Sequence, residues 1–291
     1  MTCETRYQLL ITTGSMRAYK LVCPIGIKTI YLQEQSMKKI KDLLSSVAVG
    51  SLLFASFAVL ADGSSADLVA NALIHGDRPA ADAVDDERRM PLEVLAFAGI
   101  EEGMAILELE GGGGYYTEIL SRTVGPAGSV IVQNPPSFDS FLGDGPANRI
   151  AGNRLPNVRN TRTNFDELDV ADNSMDMVTW ILGPHELWFV PGENVTLGDP
   201  EASFAEIVRV LKPGGLFLAV DHIAPESSGP DDWGILHRVR ESTVTDLAEA
   251  AGLDVVRISQ LHKNENDPLD ANVFDPSIQG RTSKFVVLYQ N

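Results

Sequence analysis

Four consecutive glycines, Gly111–Gly114, separate the apolar run Met104–Leu109 from the sequence YYTEIL, which is patterned for a helix. Glycines placed directly after a strand and before a helix let backbone approach a ligand without interference from a Cβ, and the helix start offers free N–H groups. Further apolar runs predict strands at Ser129–Gln133, Val158–Thr163, Met175–Ile181, Leu216–Asp221, Asp254–Ser259 and Lys284–Tyr289. Between them, Phe204, Ile207, Val208 and Leu211 fall at i, i+3, i+4, i+7, as do Val244, Leu247, Ala248 and Ala251, the spacing of an amphipathic helix. For the second of these helices the sequence predicts a capping box, Thr243 with Asp246, and a stop at Gly252. Alternation of this kind predicts an α/β fold: a doubly wound, mostly parallel sheet of seven strands with helices on both faces. Function then belongs at the carboxyl ends of the strands. The last two strands are joined by Leu261–Ser283, a long connection for a compact domain, and an ordered flap beside the site is expected there.

The spacing of the glycines removes two ligand classes. A dinucleotide fingerprint needs GxGxxG, but from Gly112 and Gly114 the third position is Thr117, and from Gly111 and Gly113 it is Tyr116. No Gly-Lys-Ser/Thr follows, so a Walker phosphate loop is excluded as well.

Charge and cysteine usage divide the chain near Ala61. Residues 62–291 carry 16 bases and 37 acids, so their net charge of −21 exceeds the −17 of the whole 291-residue chain. Such a field repels phosphate backbones and no Lys/Arg run offsets it, so a small-molecule substrate is expected and nucleic acid is not. Both cysteines, Cys3 and Cys23, precede the division, which removes disulfides, zinc–thiolate sites and a cysteine nucleophile from the later part. From Met37, the bases Lys38, Lys39 and Lys41 lead into the uncharged stretch Leu43–Leu60, with Val59 and Ala61 as the small residues of a cleavage site. Residues 37–61 therefore read as a secretory signal peptide, and the mature protein as periplasmic or secreted. Uncleaved, the same run would tether the chain to a membrane. Residues 1–36 read as an over-extended gene start or a disordered segment, and 62–291 as a single domain.

What the glycine turn does fit is an adenosylmethionine-binding pattern, an acid followed by a shorter glycine spacing. Glu108 with Gly112 and Gly114, then Asp172-Asn173-Ser174-Met175-Asp176, then RVLKPGGLFLAVDH at Arg209–His222 occur in that order. On these segments the chain from about residue 78 to 290 resembles the class I S-adenosylmethionine-dependent methyltransferases. The resemblance implies a Rossmann-like fold and S-adenosylmethionine as cofactor. Glu108 would hold its methionine amino end, Gly112 and Gly114 would form the turn, and Tyr115 would lie against it. Asn134 would stand at the ribose end of strand two, and Asp166 in the region that contacts adenine. Residues 86–120 and 273–287 are more similar still to a group of predicted exported bacterial methyltransferases, and the methyl acceptor is expected to be an unidentified small molecule.

Two departures from the family pattern support a competing expectation, a non-catalytic exported module with weak or no cofactor binding. Glu110 replaces the usual first glycine of the turn, facing the cofactor, solvent or a base such as Arg88. Gln133 and Asn134 replace the acid that normally binds the ribose hydroxyls, which forgoes a charge-assisted hydrogen bond worth about 1.5–3 kcal/mol.

Methylation of a hydroxyl also needs a base, and histidine is the side chain most available near neutral pH. His185 follows strand four, His222 follows strand five and His237 lies in the segment beyond; His185 is the first candidate and His222 the second. Asp221 with His222 and His185 could also ligate a divalent ion, but without carboxylates repeated at a matching spacing no metal is expected. Tyr115 and Tyr116 are expected to divide their duties between cofactor and core, and Trp180 to pack in the core. Asp82, Asp85, Arg88 and Arg89 read as a helix-start charge cluster, with an arginine over the site as the alternative.

Overall fold

The computed structural model describes residues 64–193 and 195–291. Residues 1–36, expected to be an over-extended gene start or a disordered segment, and residues 37–61, expected to be a signal peptide, lie outside the described residues. Seven strands form one sheet: β1 (Ala105–Leu109), β2 (Ser129–Gln133), β3 (Val158–Thr161), β4 (Met175–Ile181), β5 (Leu211–His222), β6 (Asp254–Ser259) and β7 (Lys284–Gln290). Their order is β3-β2-β1-β4-β5-β7-β6. The first five pair in parallel, and β7 runs antiparallel between β5 and β6. The mostly parallel, seven-stranded sheet expected from the sequence is therefore what forms.

Helices cover both faces because alternate residues of each central strand point in opposite directions. On one face Ile106, Met177, Leu218 and Val286 pack under α1 (Ser65–Leu73), α2 (Pro91–Ala98) and α3 (Tyr115–Val124). On the other, Leu107, Val178, Phe217 and Val287 meet α4 (Pro200–Val210) and α6 (Glu241–Ala251). The shorter α5 (Pro230–Leu236) sits against the turn that follows β4. Among the described residues, no helix is long and apolar enough to cross a membrane.

The structure corrects three local expectations. The strand expected at Leu216–Asp221 already starts at Leu211, and Lys212–Gly215 is an irregularity within it, where the register with β4 shifts between Met175↔Leu211 and Met177↔Leu216. Gly214 (φ 80°) makes this possible, and Gly215 lies too close to the Lys212 carbonyl, 2.9 Å from a built Cβ, to carry a side chain. The capping box at Thr243 is absent, because α6 already starts at Glu241 and the Thr243 N–H donates to the Arg240 carbonyl. The stop at Gly252 (φ 108°) is as expected. β3 ends at Thr161, two residues early.

The connection Leu261–Ser283 has neither helix nor strand but is pinned from below. Arg238 forms two 2.9 Å hydrogen bonds with Asp267, both side chains fully buried, and its Nε–H donates to the Ala271 carbonyl. The Ser283 N–H donates to the same carboxylate at 2.6 Å. Phe274, on this flap, lies with its ring 5.0 Å from that of His237, which places the flap beside the carboxyl ends of the strands.

Candidate functional site

β1 is buried along nearly its whole length and is apolar except for Glu108, only 4% exposed. A charged residue in a central strand needs a partner or loses its charge. Glu108 has one, the Thr117 hydroxyl, which donates to Oε2. Burial pushes this carboxyl up to about 7, against the opposing pull of Thr117 and of the Arg149 and Arg89 charges.

Beyond Glu108 the backbone turns sharply. Glu110 (φ 53°), Gly112 (φ 57°) and Gly114 (φ 87°) are all left-handed, and a Cβ built on Gly112 or Gly113 would meet nothing within 4 Å. The open space is a cavity of about 380 Å³. The glycine turn, Glu108, Tyr115 and Tyr116 form one wall, Asp82, Asp85, Arg89 and Arg149 the other, and Ile181 and Leu182 at the end of β4 also line it.

The second wall comes from segments remote in sequence. Arg149, from the β2–β3 connection, forks onto Asp82 at 2.7 and 3.1 Å and donates through Nε to the Gly113 carbonyl at 3.0 Å. Its side chain passes 2.7 Å from where a Gly114 Cβ would stand, so only glycine fits there. The Tyr115 hydroxyl donates to Asp86 at 2.6 Å, the Tyr116 hydroxyl donates to the Arg89 carbonyl at 3.1 Å, and the Arg89 guanidinium lies 4.6 Å from the Tyr115 ring centroid. The two tyrosines thus share one duty: each lines the cavity and ties down the 86–89 turn. The charge cluster at residues 82–89 is a cavity wall as well as a helix start.

At the end of β2, both amides are committed to backbone. Gln133 Oε1 accepts from the Glu110 N–H at 3.1 Å and its Nε2 donates to the Thr163 carbonyl at 2.6 Å. Asn134 Oδ1 accepts from the Gly112 N–H at 2.9 Å. Asn134 therefore braces the glycine turn. Asp166 lies outside the cavity lining, where its Oδ2 accepts the Asp199 N–H at 2.9 Å just ahead of α4.

The three histidines do converge. The His185 ring centroid lies 5.1 Å from that of His237 and 6.2 Å from that of His222. His185 Nδ1 contacts both oxygens of the fully buried Asp221 at 2.9 Å, and its Nε2 lies 3.2 Å from Glu186 Oε1. Burial alone would lower the imidazole's affinity for a proton, but Asp221 and Glu186 override it and push His185 up to about 10. Glu186 goes the other way: burial opposes its charge, but hydrogen bonds with His185 and His237 bring it down to about 2. His222 is held well below the usual imidazole range by burial and the Lys284 charge, with Nδ1 2.7 Å from Thr282 Oγ1.

Half-buried and part of the cavity lining, with Arg88 paired to Asp85 instead, Glu110 joins the two halves of the site. Its Oε2 accepts from the Trp180 indole N–H at 3.3 Å, and burial together with the Glu186 charge pushes the carboxyl well above the usual range. Gly183 lies so close that a built Cβ would stand 2.2 Å from this oxygen and from Trp180 Nε1. A non-glycine residue in a left-handed conformation costs about 1–2 kcal/mol, and from this backbone the carboxyl reaches Trp180 at the end of β4. Trp180 is otherwise a core residue, fully buried between Phe165 and Phe204. Sequence reasoning missed Arg149, whose segment carries no motif.

Residues 107–219 match the methyltransferase domain family, a stretch from β1 into β5. The chain is 31% identical over 134 residues to the ubiquinone/menaquinone biosynthesis C-methyltransferase UbiE of Saccharophagus degradans, covering 46% of this chain and 49% of that protein. It is 30% identical over 175 residues to UbiE of Psychromonas ingrahamii, covering 58% and 64% respectively. The chain thus spans between half and two thirds of the length of these relatives. A crystal structure of a SAM dependent methyltransferase from Aquifex aeolicus superposes with a TM-score of 0.51 at 21% identity, over 72% of this chain and 95% of that one. The sheet and its helices therefore form a Rossmann-like methyltransferase fold.

Proposed function

We propose that this protein is an S-adenosylmethionine-dependent methyltransferase acting on a small molecule. One observation carries the reading: a buried acid at the carboxyl end of the central strand opens, through a left-handed glycine turn, onto a cavity large enough for a nucleoside-sized ligand. When bound, the cofactor supplies an electrophilic methyl group. The chain's own residues do the rest. Glu108, once ionised, receives the ammonium end, while Gly112 and Gly113 admit the ligand against the backbone. The Asp82–Arg149 pair and Arg89 cover it from the far side and exclude water.

The acceptor side lies toward Glu110, His185 and His237. Raised to about 10, His185 keeps its proton at neutral pH, so it orients its neighbours rather than taking a proton. His237, with its side chain 17% exposed against 4% for His185, is the ring placed to accept one from an entering hydroxyl. His222 is neutral, but its Nδ1 is engaged with Thr282.

Calorimetry on the full chain tests the reading: S-adenosylmethionine and S-adenosylhomocysteine should both bind, and Gly112→Val should abolish both, since its side chain would enter the cavity from a backbone with φ of 57°. No heat from either at millimolar concentration would reject the enzyme. It would favour the non-catalytic module, a reading supported by the commitment of both Gln133 and Asn134 amides to backbone. The finer resemblance to exported bacterial methyltransferases supports a periplasmic or secreted location. Intact-mass measurement of the mature protein should then give an N-terminus at Asp62; a start at or before Met37 would overturn export by this signal.

A further inference from the structure

The turn after β4 and the segment after α5 bring together three side-chain atoms whose spacing methyl transfer does not explain. His185 Nε2 lies 3.1 Å from His237 Nδ1 and 3.2 Å from Glu186 Oε1, and His237 Nδ1 lies 3.4 Å from the same oxygen. Ligand atoms held at about 2.1 Å from a metal stand about 3.4 Å apart in a tetrahedral sphere and about 3.0 Å apart in an octahedral one. The triangle therefore has the dimensions of one face of a coordination sphere. Hydrogen bonding alone accounts for it poorly: the two ring nitrogens offer at most two protons, so at most two of its three edges can be hydrogen bonds.

Two further observations point to a ligand. Glu186 is 7% exposed, yet its second oxygen, Oε2, is buried with no hydrogen-bond partner. Asp221, fully buried, contacts His185 Nδ1 through both oxygens and accepts the backbone N–H groups of His185 and His222 at 2.7 Å. A carboxylate behind the far nitrogen of an imidazole is the arrangement that fixes the tautomer and orientation of a metal-ligating histidine. Among the described residues, the ion-pair partners of Glu186 and Asp221 are imidazoles, with no Lys or Arg.

We propose that His185, Glu186 and His237 bind a divalent transition-metal ion of the zinc class, with Asp221 as the positioning residue behind His185. Two imidazoles and one carboxylate are a ligand set that such ions accept while keeping further positions open. The sequence expectation of no metal rested on the lack of repeated carboxylates. The ligands are instead a His-Glu pair on the turn after β4 and one histidine brought back by α5. His237 is left-handed (φ 54°) and is the ring that reaches the surface, which gives an ion its way in. This inference goes beyond methyl transfer, because the site needs no cofactor in order to fill.

The test is a Co²⁺ titration of the tag-free full chain after dialysis against a chelator, without cofactor, followed by displacement with Zn²⁺. One equivalent should bind and give a visible ligand-field band. His237→Ala and Glu186→Gln should each weaken binding about a hundredfold or more, and Asp221→Asn about 10- to 100-fold. His75→Ala, at a surface histidine outside the cluster, should change nothing. Thermal melting of each variant separates a lost ligand from a lost fold. Absence of the band at millimolar Co²⁺, or the same affinity in folded His237→Ala and Glu186→Gln, would overturn the site. Calorimetry with S-adenosylmethionine on the same metal-free protein separates the two readings. Cofactor binding without cobalt binding removes only the metal site, and the reverse removes only the methyltransferase.

Discussion

Replacing Glu108 with Gln should weaken S-adenosylmethionine binding at least tenfold at pH 8 and, at the same pH, make the ligand-free protein more stable by about 3 kcal/mol. The two effects have one cause. Glu108 titrates near 7 in the folded chain against 4.5 for a free side chain, because burial outweighs the help of Thr117 and the nearby arginines. A group whose folded value is raised contributes stability that is complete below the unfolded value and lost as pH rises through the folded one. From pH 4.5 to 7, then, the wild type loses stability from this group, and Gln, which stays neutral, does not. Denaturant midpoints of the two proteins should nearly coincide at pH 4 and separate progressively up to pH 8. Binding runs the other way, since only the carboxylate attracts an ammonium group. Wild-type affinity should therefore rise with pH to about 7 and level off, with proton release visible in calorimetry across buffers of different ionisation enthalpy. The variant should show neither. Equal affinity of wild type and Glu108→Gln at pH 8 would remove Glu108 from the cofactor site.

This trade-off also explains why part of the site was legible in the sequence. Glu108 stands out because an acid inside a run as apolar as AILEL has no structural reason to be there, and Gly112 and Gly114 after it take left-handed backbone that favours glycine. Continuous apolar runs found all seven strands, and period 3.6 the helices at 200–210 and 241–251, because burial on both faces of a strand and on one face of a helix writes itself into local sequence. The far wall of the cavity was not legible. Arg149 and Asp82 are 67 positions apart, and their pairing depends on two irregular segments meeting over a turn. The reach of Glu110 toward Glu186, and the meeting of His237 with His185, likewise depend on tertiary placement. The amides at the end of β2 mislead in the opposite direction: Asn134 occupies the expected position, yet its side chain holds Gly112.

Arg238→Met should cost about 3–5 kcal/mol, the usual consequence of leaving a buried charge without its partner. Arg238 and Asp267 are both fully buried in side chain and hydrogen-bonded to each other twice. The carboxylate also holds the N–H groups of Ser283 and Leu269, so an abandoned Asp267 would draw in water and pull the flap with it. Adding Asp267→Asn removes the orphaned charge and keeps an acceptor for those N–H groups. The double variant should therefore regain about 2 kcal/mol over Arg238→Met alone. Urea denaturation measures both steps. The two costs adding instead of compensating would show that the pair is not an energetic unit. A local readout goes with the global one: limited proteolysis within 261–283 should accelerate in Arg238→Met more than cleavage elsewhere, because this segment has no ladder or helix of its own. His237 immediately precedes Arg238 and touches Phe274 of the flap. Freeing the flap therefore also loosens the one histidine of the cluster that reaches solvent, so the flap anchor and the acceptor side of the site should fail together.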